Sequence, residues 1–337
     1  MVLQPSQAPI YYSDIRREFL GINTGTIYIS NYYTNASSKY TTGVSGLPVI
    51  GNPIYSGFFY SKSCILGAIG FTTVGNTSFT IPDGVNMISA VCIGGGGSAT
   101  VTGATTGAKS IGGGGGGALA YINKVSVIPG TIFTITVGNG GTNGTAGTDS
   151  YITNNTGTII VRAGGGKAGG YVSSGGANST TGGAGGTVLI GTGGGNGGNG
   201  GSVGNGYTGY ANYGGGGGAG GYSGNGGNGG NRDGGGTTAG AGGGGGGGWG
   251  NQSVYNNPTV GSASDGGGTA VRGIGNDGIA ATGKDVKGGN GSTSVASSSA
   301  YGNGSGGKAS GTSAAGKGGV RIVYGTNASY PATNVNI

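Results

Sequence analysis

Few side chains in this sequence are of the types that carry out catalysis. The 337-residue chain contains no histidine, and its eight acidic residues include a single glutamate, Glu18. Four of the aspartates precede glycine, a position typical of turns: Asp83, Asp233, Asp265 and Asp277. General acid–base catalysis relies on histidine or on paired carboxylates, and a His-dependent triad cannot be built here. We therefore expect that the protein is not an enzyme.

Metal and cofactor sites are equally poorly supported. The two cysteines, Cys64 and Cys92, lack the spacing and the histidine partners of a zinc site. Both lie in apolar stretches, which favours buried free thiols, and a single disulfide between them is the alternative. The Asn276-Asp277-Gly278 turn is not part of the nonapeptide repeat of calcium-binding solenoids. We predict no metal and no cofactor.

Aromatic side chains that interrupt glycine runs are the strongest candidates for a binding role. Tyrosine and tryptophan offer a large rigid surface with one polar group, which suits recognition. The predicted receptor-contact residues are Tyr207, Tyr210, Tyr213, Tyr222, Trp249, Tyr255 and Tyr301. The alternative is that these rings fill gaps between glycine segments or pack between subunits.

The charge pattern argues against nucleic acid and membrane partners. The net charge is +7, but charged residues make up only 7% of the chain and the basic residues are scattered singly. A nucleic-acid surface normally shows a basic cluster, whereas scattered charge suits weak attraction to anionic surfaces such as lipopolysaccharide. No apolar run approaches the roughly 20 residues that span a bilayer. The first residues lack the pattern of a secretory signal, so we expect neither membrane insertion nor signal-directed export.

Glycine dominates the second half of the chain, from about residue 164 to residue 319. The chain has 95 Gly, and asparagine recurs at every third residue in 194–201 and again in 225–231. A period of three matches the extended left-handed helix, which has three residues per turn and no internal hydrogen bonds. Such helices must bond laterally to their neighbours, and glycine faces let them approach, so that every third residue is left pointing outward. The pattern predicts packed polyglycine II helices; disorder and a set of unrelated surface loops are the alternatives.

A β-framework is predicted to carry these helices. Alternating apolar residues predict strands at 78–81, 87–93, 118–128, 131–137, 151–153 and 158–161, paired in three antiparallel hairpins. Strands at 187–190 and 319–324 are expected to return to the same framework. The predicted fold is mainly β: a small antiparallel β-sandwich or partial barrel with long glycine-rich insertions.

The first 63 residues differ in composition and are tyrosine-rich. A short helix at 13–20 and strands at 26–32 and 54–60 are predicted there. We divide the chain into a module at 1–63, the β-framework at 64–163, a glycine-rich distal region at 164–318 and a tail at 325–337. The first module has too little apolar surface to form a stable core alone, so we expect it to fold against partner chains.

Two groups of motifs resemble proteins of tailed bacteriophages. The series Ser13-Asp14-Ile15-Arg16-Arg17-Glu18-Phe19, Ile27 to Tyr33, Gly43 to Pro48 and Pro53 to Phe59 is similar to the N-terminal module of many phage virion proteins, although Leu20 stands where glycine is usual and Gly57-Phe58-Phe59 varies the closing motif. The series Phe79 to Val85, Gly94 to Gly97, Gly112 to Ala118, Val127 to Gly130 and Gly318 to Ile322 resembles the glycine-rich domain of tail-fibre and fibre-tip proteins, especially those of cyanophages.

This resemblance implies a virion fibre or tail-tip protein, usually a homotrimer, located on the particle surface. Its N-terminal module would dock on other tail, baseplate or neck proteins, with Ile15, Phe19, Tyr32, Tyr33, Phe58 and Phe59 as candidate attachment residues. Its glycine-rich distal part would bind a host surface polysaccharide or outer-membrane protein. The alternatives are a purely structural virion appendage and, less in keeping with the N-terminal motifs, a non-viral matrix or ice-binding glycine protein.

Overall fold

The structure is a computed structural model that describes residues 67–100, 109–172, 179–204, 211–222, 224–231, 269, 301–305, 313–324 and 329–331. The predicted helix at 13–20, the strands at 26–32 and 54–60, and Cys64 lie outside the described residues. Within the described part the chain is all β, without a helix, which confirms the predicted fold class.

The strands are β1 (Gly67–Phe71), β2 (Gly75–Thr80), β3 (Met87–Ile93), β4 (Lys109–Ile111), β5 (Leu119–Ser126), β6 (Ile132–Val137), β7 (Ser150–Thr153), β8 (Ile159–Ala163), β9 (Tyr171–Val172), β10 (Val188–Ile190), β11 (Gly193–Gly195), β12 (Ala211–Tyr213) and β13 (Gly319–Tyr324). They form two five-stranded sheets, β1-β13-β3-β5-β11 and β10-β8-β7-β6-β2, and a small sheet β12-β4-β9.

The two five-stranded sheets enclose one apolar core, so the framework is a sandwich. Phe79 of β2, Phe133 of β6 and Ile152 of β7 pack with residues of the facing sheet such as Ala90 and Ile322. Strand β3 is buried on both faces: Ala90 and Cys92 lie in the core between the sheets, and Val91 and Ile93 pack in a second cluster that includes Tyr222, Tyr301 and Tyr330. The final strand, β13, pairs with β1 and β3, which confirms that residues 319–324 return to the framework.

Only one of the three predicted hairpins is present. Strands β7 and β8 pair antiparallel, as expected. The other two predictions are wrong: β2 pairs with β6 and β3 pairs with β5, so the turns at Pro82-Asp83-Gly84 and Pro129-Gly130 carry the chain from one sheet to the other. A turn signal marks a reversal, and each of these strands has an apolar face that can be buried equally well across the core.

The glycine segments form a hydrogen-bonded lattice centred on residues 112–118. The N–H groups of the central segment donate in rotation to three neighbours, as Gly112, Gly113 and Gly114 bond to the carbonyls of Gly170, Gly201 and Ser305, and Gly115, Gly116 and Gly117 repeat the cycle. Its carbonyls accept from three further segments, with Gly97, Gly183 and Gly217 among the donors. Each partner changes by three residues when the central position changes by three, as a helix of three residues per turn requires.

The six neighbours also bond to one another and close a ring around the central segment. The ring consists of residues 94–99, 164–170, 181–187, 195–203, 214–221 and 301–305. Segments that accept from the centre alternate with segments that donate to it. The φ angles of Gly112 to Gly117 stay outside the positive region, in keeping with the left-handed extended helix. The predicted polyglycine II packing is therefore present, as a hexagonal cell made by one chain, but its central segment and one ring segment, 112–118 and 94–99, precede the tract from residue 164 for which it was predicted.

The lattice gives the molecule two distinct ends. At one end, which we call the base, the sandwich lies and the described chain enters at Gly67 and leaves β13 at Tyr324. The lattice segments extend from the other end of the sandwich to the small sheet β12-β4-β9. We call that far end the distal end.

Candidate binding surface

One face of the lattice displays a regular set of polar side chains, five amides and one hydroxyl, which we call the amide ladder: Asn196, Asn199 and Ser202 on one segment and Asn225, Asn228 and Asn231 on the next. The five asparagines are exposed, and they fall at every third residue because each full turn returns the chain to the same face. Thr181, Ala184 and Thr187 occupy the corresponding positions on the adjoining segment. The sequence prediction that every third residue points outward is confirmed here.

The ladder is held by bonds between its side chains and the backbone of the neighbouring segment. Asn225, Asn228 and Asn231 accept through Oδ1 from the N–H groups of Asn196, Asn199 and Ser202, each at 2.8 Å. The second row repeats the arrangement toward residues 181–188, where Gly185 donates to Asn199 Oδ1 and Val188 to Asn196 Oδ1, both at 2.9 Å. These side chains complete hydrogen bonds that the lattice geometry leaves at its surface.

The bonds orient each carboxamide and leave a donor facing outward. Because Oδ1 is engaged by the backbone, the rotamer is fixed and the Nδ2 group is presented with no acceptor among the described residues. Lys167, on the segment beyond residues 181–187, is exposed and adds a positive charge. The described residues include two carboxylates: Asp149, which pairs with Arg162, and Asp83, in a turn at the base. Among the described residues, the face therefore offers fixed donors and no acidic group.

Several undescribed stretches join the described chain at the distal end. The residues that flank 101–108, 173–178, 205–210 and 306–312 all lie there, as does Asn231, the last residue before the long stretch that follows. In the small sheet, Tyr171 is exposed, and Asn212 is buried with its Oδ1 atom lacking a hydrogen-bond partner. A rigid lattice thus brings several separate parts of the sequence together at one end.

Three of the predicted receptor-contact tyrosines are buried. Tyr213, Tyr222 and Tyr301 are 4%, 5% and 4% exposed, which leaves little ring surface for a receptor. Tyr213 lies beside Ile111 in the small sheet, and the Tyr301 ring covers Gly319, so these rings pack within the fold, as in the alternative stated above. Tyr207, Tyr210, Trp249 and Tyr255 lie outside the described residues, and a contact role for them stays a prediction.

Tyr222 belongs to a cluster on the outer face of the first sheet. Its ring stacks on Tyr121 at 6.1 Å and on Tyr330 at 5.6 Å between ring centroids. Asn123 binds the backbone of Tyr330 twice: its Nδ2 donates to the carbonyl and its Oδ1 accepts from the N–H, each at 2.8 Å. Burial raises the pKa of the Tyr330 hydroxyl, and the nearby Arg321 guanidinium opposes that shift. The cluster fastens a piece of the C-terminal tail to the sheet.

The remaining predicted sites are covered only in part. Cys92 is buried and free, as predicted, and burial raises the pKa of its thiol. The candidate attachment residues Ile15, Phe19, Tyr32, Tyr33, Phe58 and Phe59 lie outside the described residues. The part of the chain that the structure describes contains no group of three acidic, cysteine or histidine side chains placed to hold a metal ion. It also contains no helix of the length and hydropathy needed to cross a membrane.

Neither the protein-family models nor the curated proteins that were compared with this chain match it. The asparagine repeat was visible in the sequence and indicated the outward row. The hydrogen bonds from the neighbouring backbone to each asparagine Oδ1 could not be predicted from the sequence, because they depend on how neighbouring segments are aligned.

Proposed function

We propose that the protein is a bacteriophage fibre or tail-tip protein that attaches to the virion through its N-terminal module and binds a host surface receptor with its glycine-rich part. The observation that carries the proposal is the polarity of the fold. Residues 1–66 precede a strand that begins at the base, whereas the lattice segments extend side by side to the opposite end. The resemblance of the motifs to phage fibre proteins supports the same direction.

The lattice suits presentation of the chain stretches that connect its segments. Its structure is held by backbone hydrogen bonds between glycines, so sequence between the segments can change without loss of core packing. Loops on a rigid support bind with a smaller ordering cost than loops on a flexible one. The described residues from which separate stretches of the chain continue lie together at the distal end, and we propose that this end carries the receptor-binding surface.

The proposed partners follow from the same arrangement. Other virion proteins contact the N-terminal module, and the receptor is a host polysaccharide or outer-membrane protein. We expect a homotrimer, as the resemblance implies. The central segment finds all its hydrogen-bond partners within one chain, so trimer contacts are expected outside it. Sedimentation of the full chain is expected to give three times the 31.6 kDa chain mass; a single-chain mass at micromolar concentration would contradict the trimer.

Adsorption of the purified full chain to host cells tests the proposal. The combined variant Tyr207→Ala, Tyr210→Ala and Trp249→Ala should weaken adsorption about tenfold or more if these rings contact the receptor. The control is Ile128→Ala at the base, where Ile128 is 68% exposed, and it should adsorb like the parent chain. A chain that microscopy places on the particle but that does not adsorb to cells would support the structural-appendage alternative instead.

A further inference from the structure

We propose that the amide ladder is a binding surface for an acidic repeating polysaccharide. The inference deepens the proposed function, on which it rests, by assigning a ligand class to one side of the lattice, in addition to its distal end. It is carried by three properties of the described residues: a repeat, a fixed orientation of donors, and the sign of the charge.

The repeat comes from the helix geometry. Three residues at a rise of 3.1 Å place equivalent side chains about 9.3 Å apart along each segment. Asn225, Asn228 and Asn231 therefore form a straight row, and Asn196 and Asn199 form a second row beside it. A polymer with a regularly spaced acceptor can contact several members of a row at once, so that individually weak contacts combine into useful affinity.

The orientation comes from the bonds that hold the ladder. Each Oδ1 accepts a backbone N–H, so each carboxamide is ordered before a ligand arrives, and its Nδ2 donates to none of the described residues. Ordered side chains lose little entropy on binding. Donors of this kind match hydroxyl, carboxylate or sulfate oxygens of a sugar chain.

The charge selects acidic sugars. Lys167 is exposed on the segment next to residues 181–187, and none of the described carboxylates pairs with it. The chain as a whole carries a net charge of +7. A ligand with a carboxylate on each repeat gains charge-assisted hydrogen bonds that a neutral glucan does not.

Asparagine-to-aspartate substitutions separate binding from folding. An aspartate keeps an oxygen that accepts the neighbouring N–H, but it removes the outward donor and adds a negative charge. The test variant is therefore Asn225→Asp, Asn228→Asp and Asn231→Asp together. The matched control is Thr72→Asp, Ser78→Asp and Thr80→Asp, which adds the same charge at exposed positions of the sandwich.

The experiment measures binding of the full chain to polygalacturonate, with dextran as the neutral probe and with chain length varied. We expect the parent and the control variant to bind polygalacturonate, with affinity rising with chain length. The ladder variant should bind at least about tenfold more weakly, with an unchanged thermal midpoint. Lys167→Gln changes only a side chain and leaves the backbone hydrogen bonds of the lattice in place. This variant should weaken binding severalfold even if the triple variant fails to fold.

Several outcomes would overturn the inference. These are no binding by the parent chain, equal binding of dextran, equal loss in the ladder and control variants, or full binding by Lys167→Gln. Adsorption of the same proteins to host cells is scored separately. A chain that adsorbs to cells but does not bind polygalacturonate would leave the adhesin proposal standing and remove the ladder; polysaccharide binding without adsorption would do the reverse.

Discussion

Glycine at the centre of the lattice is required because backbone occupies the space where a side chain would go. A Cβ atom at Gly115 would meet the carbonyl oxygen of Ala184, and one at Gly116 would meet the carbonyl oxygen of Gly218. Neither contact can be relieved by rotating a side chain, because both partners are main-chain atoms. The composition of the tract therefore follows from the close approach of neighbouring segments.

We predict that Gly115→Ala lowers the free energy of unfolding by at least about 2 kcal/mol, because neighbouring segments must separate to admit the methyl group. Gly70→Ala is the control: an added Cβ there meets nothing within 4 Å, so its effect should be small or slightly stabilising. Urea unfolding of both variants makes the comparison. Equal stability of the two would show that residues 112–118 are not packed as described.

Cys92 is expected to make the free energy of unfolding fall as pH rises through the alkaline range. Burial raises the pKa of the thiol in the folded chain, whereas in the unfolded chain it ionises near its ordinary value of about 8.5. Its contribution is therefore complete below that pH and is lost as pH rises, by about 1.4 kcal/mol per pH unit. Tyr330, whose pKa burial also raises, adds to the loss above about pH 10.

The measurement is the free energy of unfolding at pH 7, 8, 9 and 10 for the parent chain and for Cys92→Ala. The variant should be less stable at pH 7, since it loses buried volume, but its stability should fall less steeply between pH 8.5 and pH 10. Parallel curves for the two proteins would show that Cys92 ionises equally in both states.

At the scale of elements, local sequence patterns predicted where strands occur better than they predicted which strands pair. The bounds of β3 and β13 were predicted to the residue, because a short, strongly apolar run is typical of a buried strand. The partners of β2 and β5 were not, since a turn after a strand can lead either to a hairpin or across a sandwich. The short strand β11 is glycine only and has no side-chain pattern from which it could have been recognised.

The candidate site shows the same division. The repeat of asparagine predicted an outward row, and the structure has it. The packing of Tyr213, Tyr222 and Tyr301 could not be predicted, because a ring within a glycine run has the same local sequence whether it faces solvent or a neighbouring segment. Only the arrangement of segments decides between the two.

The contact between β5 and the C-terminal tail is a separable element. We predict that Asn123→Ala, which removes both hydrogen bonds to Tyr330, releases residues 329–331 from the sheet at a cost of about 1 to 3 kcal/mol. Hydrogen exchange at the Tyr330 amide should accelerate while exchange in β3 is unchanged. Thr136→Ala, which removes an exposed side-chain bond to Asn76, is the control. An unchanged exchange rate at the Tyr330 amide would show that interactions other than the Asn123 hydrogen bonds attach the tail to the sheet.

At the scale of the whole molecule, the sandwich and the lattice divide the work of stability. The sandwich has a conventional apolar core, whereas the lattice has almost no apolar side chains and is held by lateral backbone bonds. Each such bond contributes only about 1 kcal/mol net, so the lattice is stable as a cooperative unit and not segment by segment. The β-strands that lead into it fix the ends of its segments.

The central claim is that residues 112–118 are the hydrogen-bonded centre of an ordered lattice within one chain. Amide hydrogen exchange of the full chain, followed by NMR with glycine-selective nitrogen labelling, tests it most directly. We predict that Gly112 to Gly117 exchange as slowly as β3, slower than an unfolded chain by a factor on the order of 10³ or more. Exchange of these glycines at the rate of an unfolded chain, while β3 stays protected, would contradict the account.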